Sequence, residues 1–237
     1  MDRREIWCKK KRNVCYVNED FFKKWTPEMA YILGFFAADG TLTFNRKRKN
    51  HYIEFTSIDY EILEKIRKLI KSRHKIGTKK RESKWKKAYR LQIGSKEIFK
   101  DLIHLGFTPN KSLTVVFPIV PADYLNHFIR GYFDGDGYCS FCRYKRKDRP
   151  SRGRAILTGF VSGSRIFLEK LRDVLRKYAG TNGGTLHFHD GGYRLVYSFK
   201  DSQKVYSFLY KNLNNILYLK RKFLNFEQAF KKYGLVV

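Results

Sequence analysis

The segment YILGFFAADG, Tyr31 to Gly40, returns as FIRGYFDGDG, Phe128 to Gly137, 97 residues further on. Each copy is an apolar run closed by Asp-Gly. Small residues sit at Gly34, Ala37 and Ala38 in the first and at Gly131 and Gly135 in the second. Three further pairs keep the same order along the chain. FTSIDYEILEKI (Phe55 to Ile66) is echoed by FVSGSRIFLEKL (Phe160 to Leu171), AYRLQIGS (Ala88 to Ser95) by GYRLVYSF (Gly192 to Phe199), and TPNKSL (Thr108 to Leu113) by LYLKRK (Leu217 to Lys222). Ordered self-similarity of this kind marks a tandem duplication. The chain is expected to divide into a basic arm over 1–24, a first domain over 25–117 and a second over 118–237, joined near Pro118 and Pro121.

Each half repeats the same local signals. Thr26-Pro27-Glu28 reads as a helix start, with a Thr cap and Pro at the first helical position, and Pro121-Ala122-Asp123 does similar work in the second half. Alternating stretches at Thr41–Lys47 and His51–Thr56 read as paired strands after the Asp-Gly stop. A helix follows to about Lys71, capped by Ser57 or Asp59. Two more strands come at about Ile76–Glu82 and Trp85–Ile93, and Ser95 caps a last helix, Lys96 to Leu105. The fold class is α+β: a tandem α-β-β-α-β-β-α unit with the helices on one face of each sheet.

Composition narrows the function. The chain has 237 residues, with 50 Lys and Arg against 22 Asp and Glu, a net charge of +28, and 43% apolar residues. That apolar content excludes general disorder. No run approaches the roughly 18 apolar residues of a membrane span, and the N-terminus MDRREIWCKKKR has no signal-peptide core. Four cysteines make no disulfide scaffold. A soluble protein working inside the cell, wherever its DNA lies, is the expectation, because unmatched basic clusters ask for a polyanion, most often nucleic acid. The clusters are Arg46–Lys49, Lys79–Arg90 and Arg143–Arg154, with Lys9–Arg12 as an arm tracking phosphates.

Strand alternation sets Tyr89, Leu91 and Ile93 against Arg90 and Gln92, and Tyr193, Leu195 and Tyr197 against Arg194 and Val196. The apolar set should pack on the helices. The other face, with Lys79, Arg81, Arg90, Gln92 and Arg194, should be open, basic and suited to a DNA groove. Thr43, Asn45 and Lys47 extend the expected DNA contacts in the first half. Ser140, Tyr144, Arg154, His187 and His189 do so in the second.

If the two repeated helices pack on each other through their small residues, Asp39 and Asp136 meet at the seam. Two carboxylates there would repel unless a divalent cation lay between them, and hard oxygen ligands favour Mg²⁺ or Mn²⁺ over zinc. Asp134 lies two residues from Asp136, about 200° round a helix, and faces elsewhere. Cys139 and Cys142 fall on opposite faces of a strand, and Cys8 and Cys15 are distant mates, which argues against a zinc knuckle. His187 and His189 share a strand face but lack partners as metal ligands.

The two decapeptides resemble the motifs of LAGLIDADG homing endonucleases of the single-chain, two-motif type, over Ile32–Gly40 and Ile129–Gly137. The likeness runs from about Trp25 to Phe226, with the sixth motif position Ala37 in one copy and Asp134 in the other. It implies a saddle of two four-stranded antiparallel sheets over DNA, with the motif helices at the domain interface. It also implies that Asp39 and Asp136 are catalytic metal ligands, helped by the carbonyls of Ala38 and Gly135. Lys111 and Lys220 fall at the family's basic positions beside the scissile phosphates, and Ser57 and Ser162 at a position often held by Gln, unless their hydroxyls simply cap helices.

The function implied is a monomeric, site-specific double-strand DNA endonuclease that cuts across the minor groove of a long asymmetric target. Mg²⁺ is the expected cofactor, with Mn²⁺ substituting and Ca²⁺ binding without supporting cleavage. Two alternatives share the fold: a maturase with intron RNA as its partner, and a DNA-binding protein without catalysis. Both aspartates argue against the second, since a non-cutting descendant need not keep paired acids.

Overall fold

The computed structural model describes residues 16–79, 86–145, 150, 152–211 and 217–234. The first half runs α1 (Pro27–Asp39), β1 (Gly40–Asn45), β2 (Asn50–Ser57), α2 (Tyr60–Leu69), β3 (Ile76–Lys79), β4 (Ala88–Gly94) and α3 (Lys96–His104). The second repeats it as α4 (Leu125–Asp136), β5 (Gly137–Lys145), β6 (Arg152–Ser162), α5 (Arg165–Ala179), β7 (Thr185–His189), β8 (Gly192–Tyr197) and α6 (Phe199–Leu209). An added helix, α7 (Lys220–Tyr233), packs on β5 and β6. Each half forms a four-stranded antiparallel sheet, in the orders β1-β2-β4-β3 and β5-β6-β8-β7.

The two motif helices start differently. The Thr26 hydroxyl accepts the Met29 N–H at 3.1 Å and Pro27 opens α1, a side-chain cap worth about 1 kcal/mol. In the second half Ala122–Tyr124 forms a 3₁₀ turn instead, and α4 begins at Leu125 without a side-chain cap. Buried residues run without interruption from Met29 to Ala37, so α1 has no solvent face and lies between layers. Gly40 and Gly137 end the two helices in extended conformation and lead straight into β1 and β5. Their need for glycine is spatial: a Cβ at Gly40 would come 2.1 Å from the Phe36 ring, and one at Gly137 2.2 Å from Phe133.

An aromatic group recurs under each sheet. Phe36 meets Phe55 and Phe107 edge-on, and Phe133 lies against Phe160 and Phe226. The core is continuous across both halves. The described part of the expected arm joins it. Val17 and Phe22 are buried, the Asn18 N–H bonds the Ile70 carbonyl, and Tyr16 accepts from the Arg73 N–H. Lys9–Arg12 lie outside the described residues. No described helix is long and apolar enough to cross a membrane.

Candidate active site

α1 and α4 pack on each other at backbone distance, and glycine makes this possible. A Cβ on Gly34 would stand 1.9 Å from the Phe128 carbonyl oxygen and 3.0 Å from the Tyr132 nitrogen. A Cβ on Gly131 would stand 2.0 Å from the Tyr31 carbonyl oxygen and 2.9 Å from the Phe35 nitrogen. Each of these contacts maps onto the other under the 97-residue shift of the motif, so the seam has a local twofold. Ala38 and Gly135 meet on that axis: a Cβ on Gly135 would lie 2.3 Å from the Ala38 Cβ and 3.3 Å from Asp39 Oδ2. The Asp39 carboxylate therefore reaches over to the end of the opposite motif helix.

The seam is electrostatically loaded. Burial raises the carboxyl pKa of Asp136, and the ammonium groups of Lys222 and Lys111 oppose that rise. Lys111 is 5% exposed; its Nζ donates to the Ala37 carbonyl at 2.7 Å and, at the limit of bonding, to Ala38 at 3.5 Å. Lys222 is 6% exposed and donates to the carbonyls of Phe133, Gly135 and Gly137 at 2.7, 2.8 and 2.8 Å. Each lysine thus fills the end of one motif helix, where the last carbonyls lack partners within the helix. Burial lowers both ammonium pKa values to about 8, against the pull of Asp136 and Asp39 on each and of Asp134 on Lys222.

Lys220, the expected counterpart of Lys111, does not reach this seam. It opens α7 as an exposed residue, with its charge acting on Glu61. Two residues later, Lys222 lies on the inner side of the same helical turn. The weak pairing of TPNKSL with LYLKRK put the repeat out of step by two, a slip that three cations in four residues make easy.

The donor set fits a hard divalent cation. Asp39 and Asp136 supply charged oxygens, and the Ala38 and Gly135 carbonyls, each with a second lone pair, lie beside them. Among the described residues no third His, Cys, Asp or Glu completes a cluster. A bound ion would draw its remaining ligands from carbonyls, water or phosphate, as Mg²⁺ does.

Ser57 stays with local structure, and Ser162 adds to its local bond one to the buried Tyr132 hydroxyl of α4. Their Oγ atoms accept the N–H of Asp59 and Ser164, each at 3.1 Å, and turn the chain from strand into helix. Asp59 caps nothing with its side chain; its carboxylate takes the Arg221 guanidinium at 2.8–3.0 Å, bridging the two halves.

A buried polar group lies behind the seam. Asp134 Oδ2 accepts the Tyr31 hydroxyl at 2.6 Å and the Leu219 N–H at 2.8 Å, and burial pushes its pKa up to about 6. Its contact with Leu219 fixes the residue that precedes α7. Arg130, fully buried, donates to the carbonyls of Leu217 and Leu209 and meets His127 Nδ1, each at 2.7 Å. None of Arg130, His127, Tyr31 or Lys222 stood out as functional from sequence. Only the helical spacing of Tyr31, Arg130 and Asp134 on the motif helices offered a signal.

The sheet faces turned away from the helices are less charged than expected. On the first, Thr43 and Asn45 are exposed, and the Asn45 Oδ1 accepts the Arg48 N–H in the turn that carries Lys47. Strand register places Thr41, Glu54 and Gln92 in one row and Thr56 and Arg90 in the next. Glu54 anchors this face: Lys79, Thr56 and Gln92 donate to it at 3.3, 3.3 and 3.5 Å, with Arg90 at 3.9 Å. Arg81 lies outside the described residues. On the second face, Ser140, Tyr144, His187, His189 and Arg194 share one side by register, with Asp190 holding His189 and Arg194. Arg154 does not share it. It alternates with Ala155 onto the side of Ile156 and Phe160, and its guanidinium lies over the Tyr233 ring of α7 at 5.5 Å. Cys139 and Cys142 face opposite sides, as alternation requires.

Comparison with known proteins agrees with this architecture. Residues 26–105 match the family described as LAGLIDADG-like domain. The uncharacterized protein MJ0398 of Methanocaldococcus jannaschii is 25% identical over 215 residues, covering 83% of this chain and 70% of that protein. The meganuclease I-AabMI bound to uncleaved DNA superposes with a TM-score of 0.62 at 14% identity, covering 89% of this chain and 91% of that one. The homing endonuclease I-LtrWI bound to target DNA gives 0.60 at 11% identity and 92% of both chains. I-SmaMI bound to cleaved DNA gives 0.59 at 14% identity and 88% of both. Residues 26–105 are thus similar to a LAGLIDADG-like domain, and the chain has the fold of the LAGLIDADG endonucleases on which it superposes.

Proposed function

We propose that this protein is a monomeric, divalent-metal-dependent endonuclease that hydrolyses one phosphodiester bond in each strand of a long asymmetric duplex, across the minor groove. The observation that carries the reading is the cluster the duplication builds at the ends of α1 and α4: the buried ammonium groups of Lys111 and Lys222, bonded to the helix-end carbonyls, with the carboxylates of Asp39 and Asp136 both acting on each of them. A purely structural seam between two helices has no use for two carboxylates and two desolvated lysines, whose burial opposes folding.

In this reading Asp39 and Asp136, with the carbonyls of Ala38 and Gly135, hold Mg²⁺. Mn²⁺ substitutes, and Ca²⁺ binds without supporting cleavage. The bound ions supply activation of water and stabilisation of the leaving oxygen. Lys111 and Lys222 fix the helix-end carbonyls and keep positive charge where the phosphate becomes more negative, an electrostatic arrangement set before the substrate arrives. Lys220 keeps no part in the chemistry. The net charge of +28 supplies the attraction for DNA.

The test uses the full chain and a duplex library with a randomised centre. In Mg²⁺, cut molecules are recovered and sequenced, and the enriched duplex is then used for binding and cleavage. Asp39→Asn combined with Asp136→Asn should abolish cleavage and leave duplex binding in place. Cleavage by the double variant in Mg²⁺ would remove these acids from the mechanism. Recovery of no cut duplex from the wild type, with selective binding intact, would favour the silent DNA-binding alternative.

A further inference from the structure

The open faces of the two sheets differ in chemistry, and the difference goes beyond the division of the chain into halves. On the second sheet, register brings Tyr138, Gly159 and Val196 into one row, Ser140 and Leu157 into the next, then Cys142 with Ala155 and Tyr144 with Gly153. Tyr138 and Tyr144 lie flat over the glycines opposite them: a Cβ on Gly159 would meet the Tyr138 ring at 2.3 Å, and one on Gly153 the Tyr144 ring at 2.4 Å. Leu157, Val161 and Val196 are only half-buried, so their methyl groups remain accessible. Among the described residues the strands of this face carry no Asp, Glu or Lys on the open side. Their one permanent cation there is Arg194, tied at 3.1 Å to Asp190 in the adjoining turn. The first sheet is built the other way, around the Glu54 carboxylate and its Lys79, Gln92 and Arg90 neighbours.

A nearly neutral face in so basic a chain is not a phosphate grip; phosphate contacts position, and base contacts specify. In the major groove thymine alone among the four bases presents a methyl group, which apolar side chains contact. Cytosine presents an amino donor there, and strands β5, β6 and β8 of this face, built mainly of Leu, Val, Ala and tyrosine ring, offer it only scattered hydroxyl acceptors; the imidazoles of His187 and His189 lie on the outer strand β7, where Asp190 holds His189. Leaving that donor without a partner carries a desolvation cost. The first face has a carboxylate able to accept such a donor, together with Arg and Gln, which suit guanine and adenine edges.

We propose that the second sheet reads a thymine-rich half-site through the 5-methyl groups, with Leu157, Val161 and Val196 as specificity-determining residues, while the first sheet reads polar base edges around Glu54. This rests on the DNA-cutting function proposed above. The target is then asymmetric in kind as well as in order, one half recognised by shape and methyl contact and the other by hydrogen bonds.

The experiment separates the two proposals. The full chain is incubated in Ca²⁺ with two randomised duplex libraries, one ordinary and one with deoxyuridine in place of thymidine. This exchange removes the methyl group and leaves the hydrogen-bonding edge intact. Bound duplexes are sequenced. In the ordinary library one half of the selected site should be rich in thymine, and in the uracil library that enrichment should fade while the other half is unchanged. On the selected duplex, each thymine-to-uracil exchange in that half should weaken binding about fourfold, the worth of one buried methyl-sized group. Leu157→Asn and Val196→Asn should relax the preference in that half only, and each variant's circular dichroism and melting are checked beside wild type. Equal enrichment in both libraries, or equal loss in both halves, overturns the assignment while leaving DNA binding intact. Absence of any enriched duplex overturns the underlying DNA reading instead.

Discussion

Lys222 holds the end of α4 as Lys111 holds the end of α1: both are buried ammonium groups donating to the last carbonyls of a motif helix. The two reach this position from unrelated local structures. Lys111 follows Asn110, in left-handed conformation, at the start of a 3₁₀ turn, whereas Lys222 lies in the first turn of α7. The same chemistry delivered by two backbones points to the ammonium as the feature required.

Lys222→Met and Lys111→Met are therefore expected to slow cleavage by about 10²–10³-fold, the usual effect of removing one preorganised charge, with binding of the selected duplex changed little. Lys220→Met should leave cleavage near the wild-type rate. Single-turnover cleavage and equilibrium binding, measured side by side, decide this. Equal effects of Lys220→Met and Lys222→Met on cleavage would break the pairing.

Gly34→Ala places a methyl group 1.9 Å from a backbone oxygen that cannot rotate away. It should cost more than about 3 kcal/mol, at or beyond the upper end of ordinary overpacking. Gly94→Ala is the control, because its Cβ would find Tyr52 at an ordinary 3.7 Å. Urea unfolding of both variants against wild type should show a large fall in midpoint for the first and little change for the second.

His127 should make the protein sensitive to mild acid. Burial, with the nearby charge of Arg130, lowers its pKa from 6.5 to about 4, and its Nδ1 accepts from Arg130 only while the ring is neutral. Between those values the unfolded chain binds more protons than the folded one, so this contribution is complete above pH 6.5 and is lost as pH falls toward 4. His127→Gln, which keeps an acceptor but cannot titrate, should flatten that part of the stability profile. Denaturation midpoints of both proteins at pH 7, 5.5 and 4.5 measure the difference, and parallel profiles would refute it.

Thr26→Ala removes the hydroxyl that caps α1 and should lower unfolding free energy by about 1 kcal/mol. The melting temperature, followed by circular dichroism, reports it.

The repeat makes the seam legible in the sequence itself, because glycines at matching places in two apolar helices have few explanations other than close packing. The strand pairing was legible for the same reason, through alternation. The choice between Lys220 and Lys222 was not, since it depends on how α7 enters the second sheet, and α7 has no counterpart among the described residues of the first half. Asp59 is a similar case: its place before α2 suggests a cap, and only the folded chain brings Arg221 to it. Arg154 is a different case. Its alternation with Ala155 and Ile156 already assigned it to the helix side, but the basic cluster around it drew it toward DNA. The weak charge of the first open face was likewise legible, for alternation with Ile53 and Phe55 puts Glu54 on the same side of the sheet as Gln92 and Arg90.

The mutual seating of Gly34 and Gly131 has a consequence for how the two halves can change. Each glycine rests on main-chain atoms of the other helix, and main-chain atoms are the same whatever residues the chain carries there. Substitution elsewhere on either sheet leaves that joint untouched. The halves are free to drift apart in what they recognise while remaining locked in register, so one half can acquire a new preference without the other having to follow.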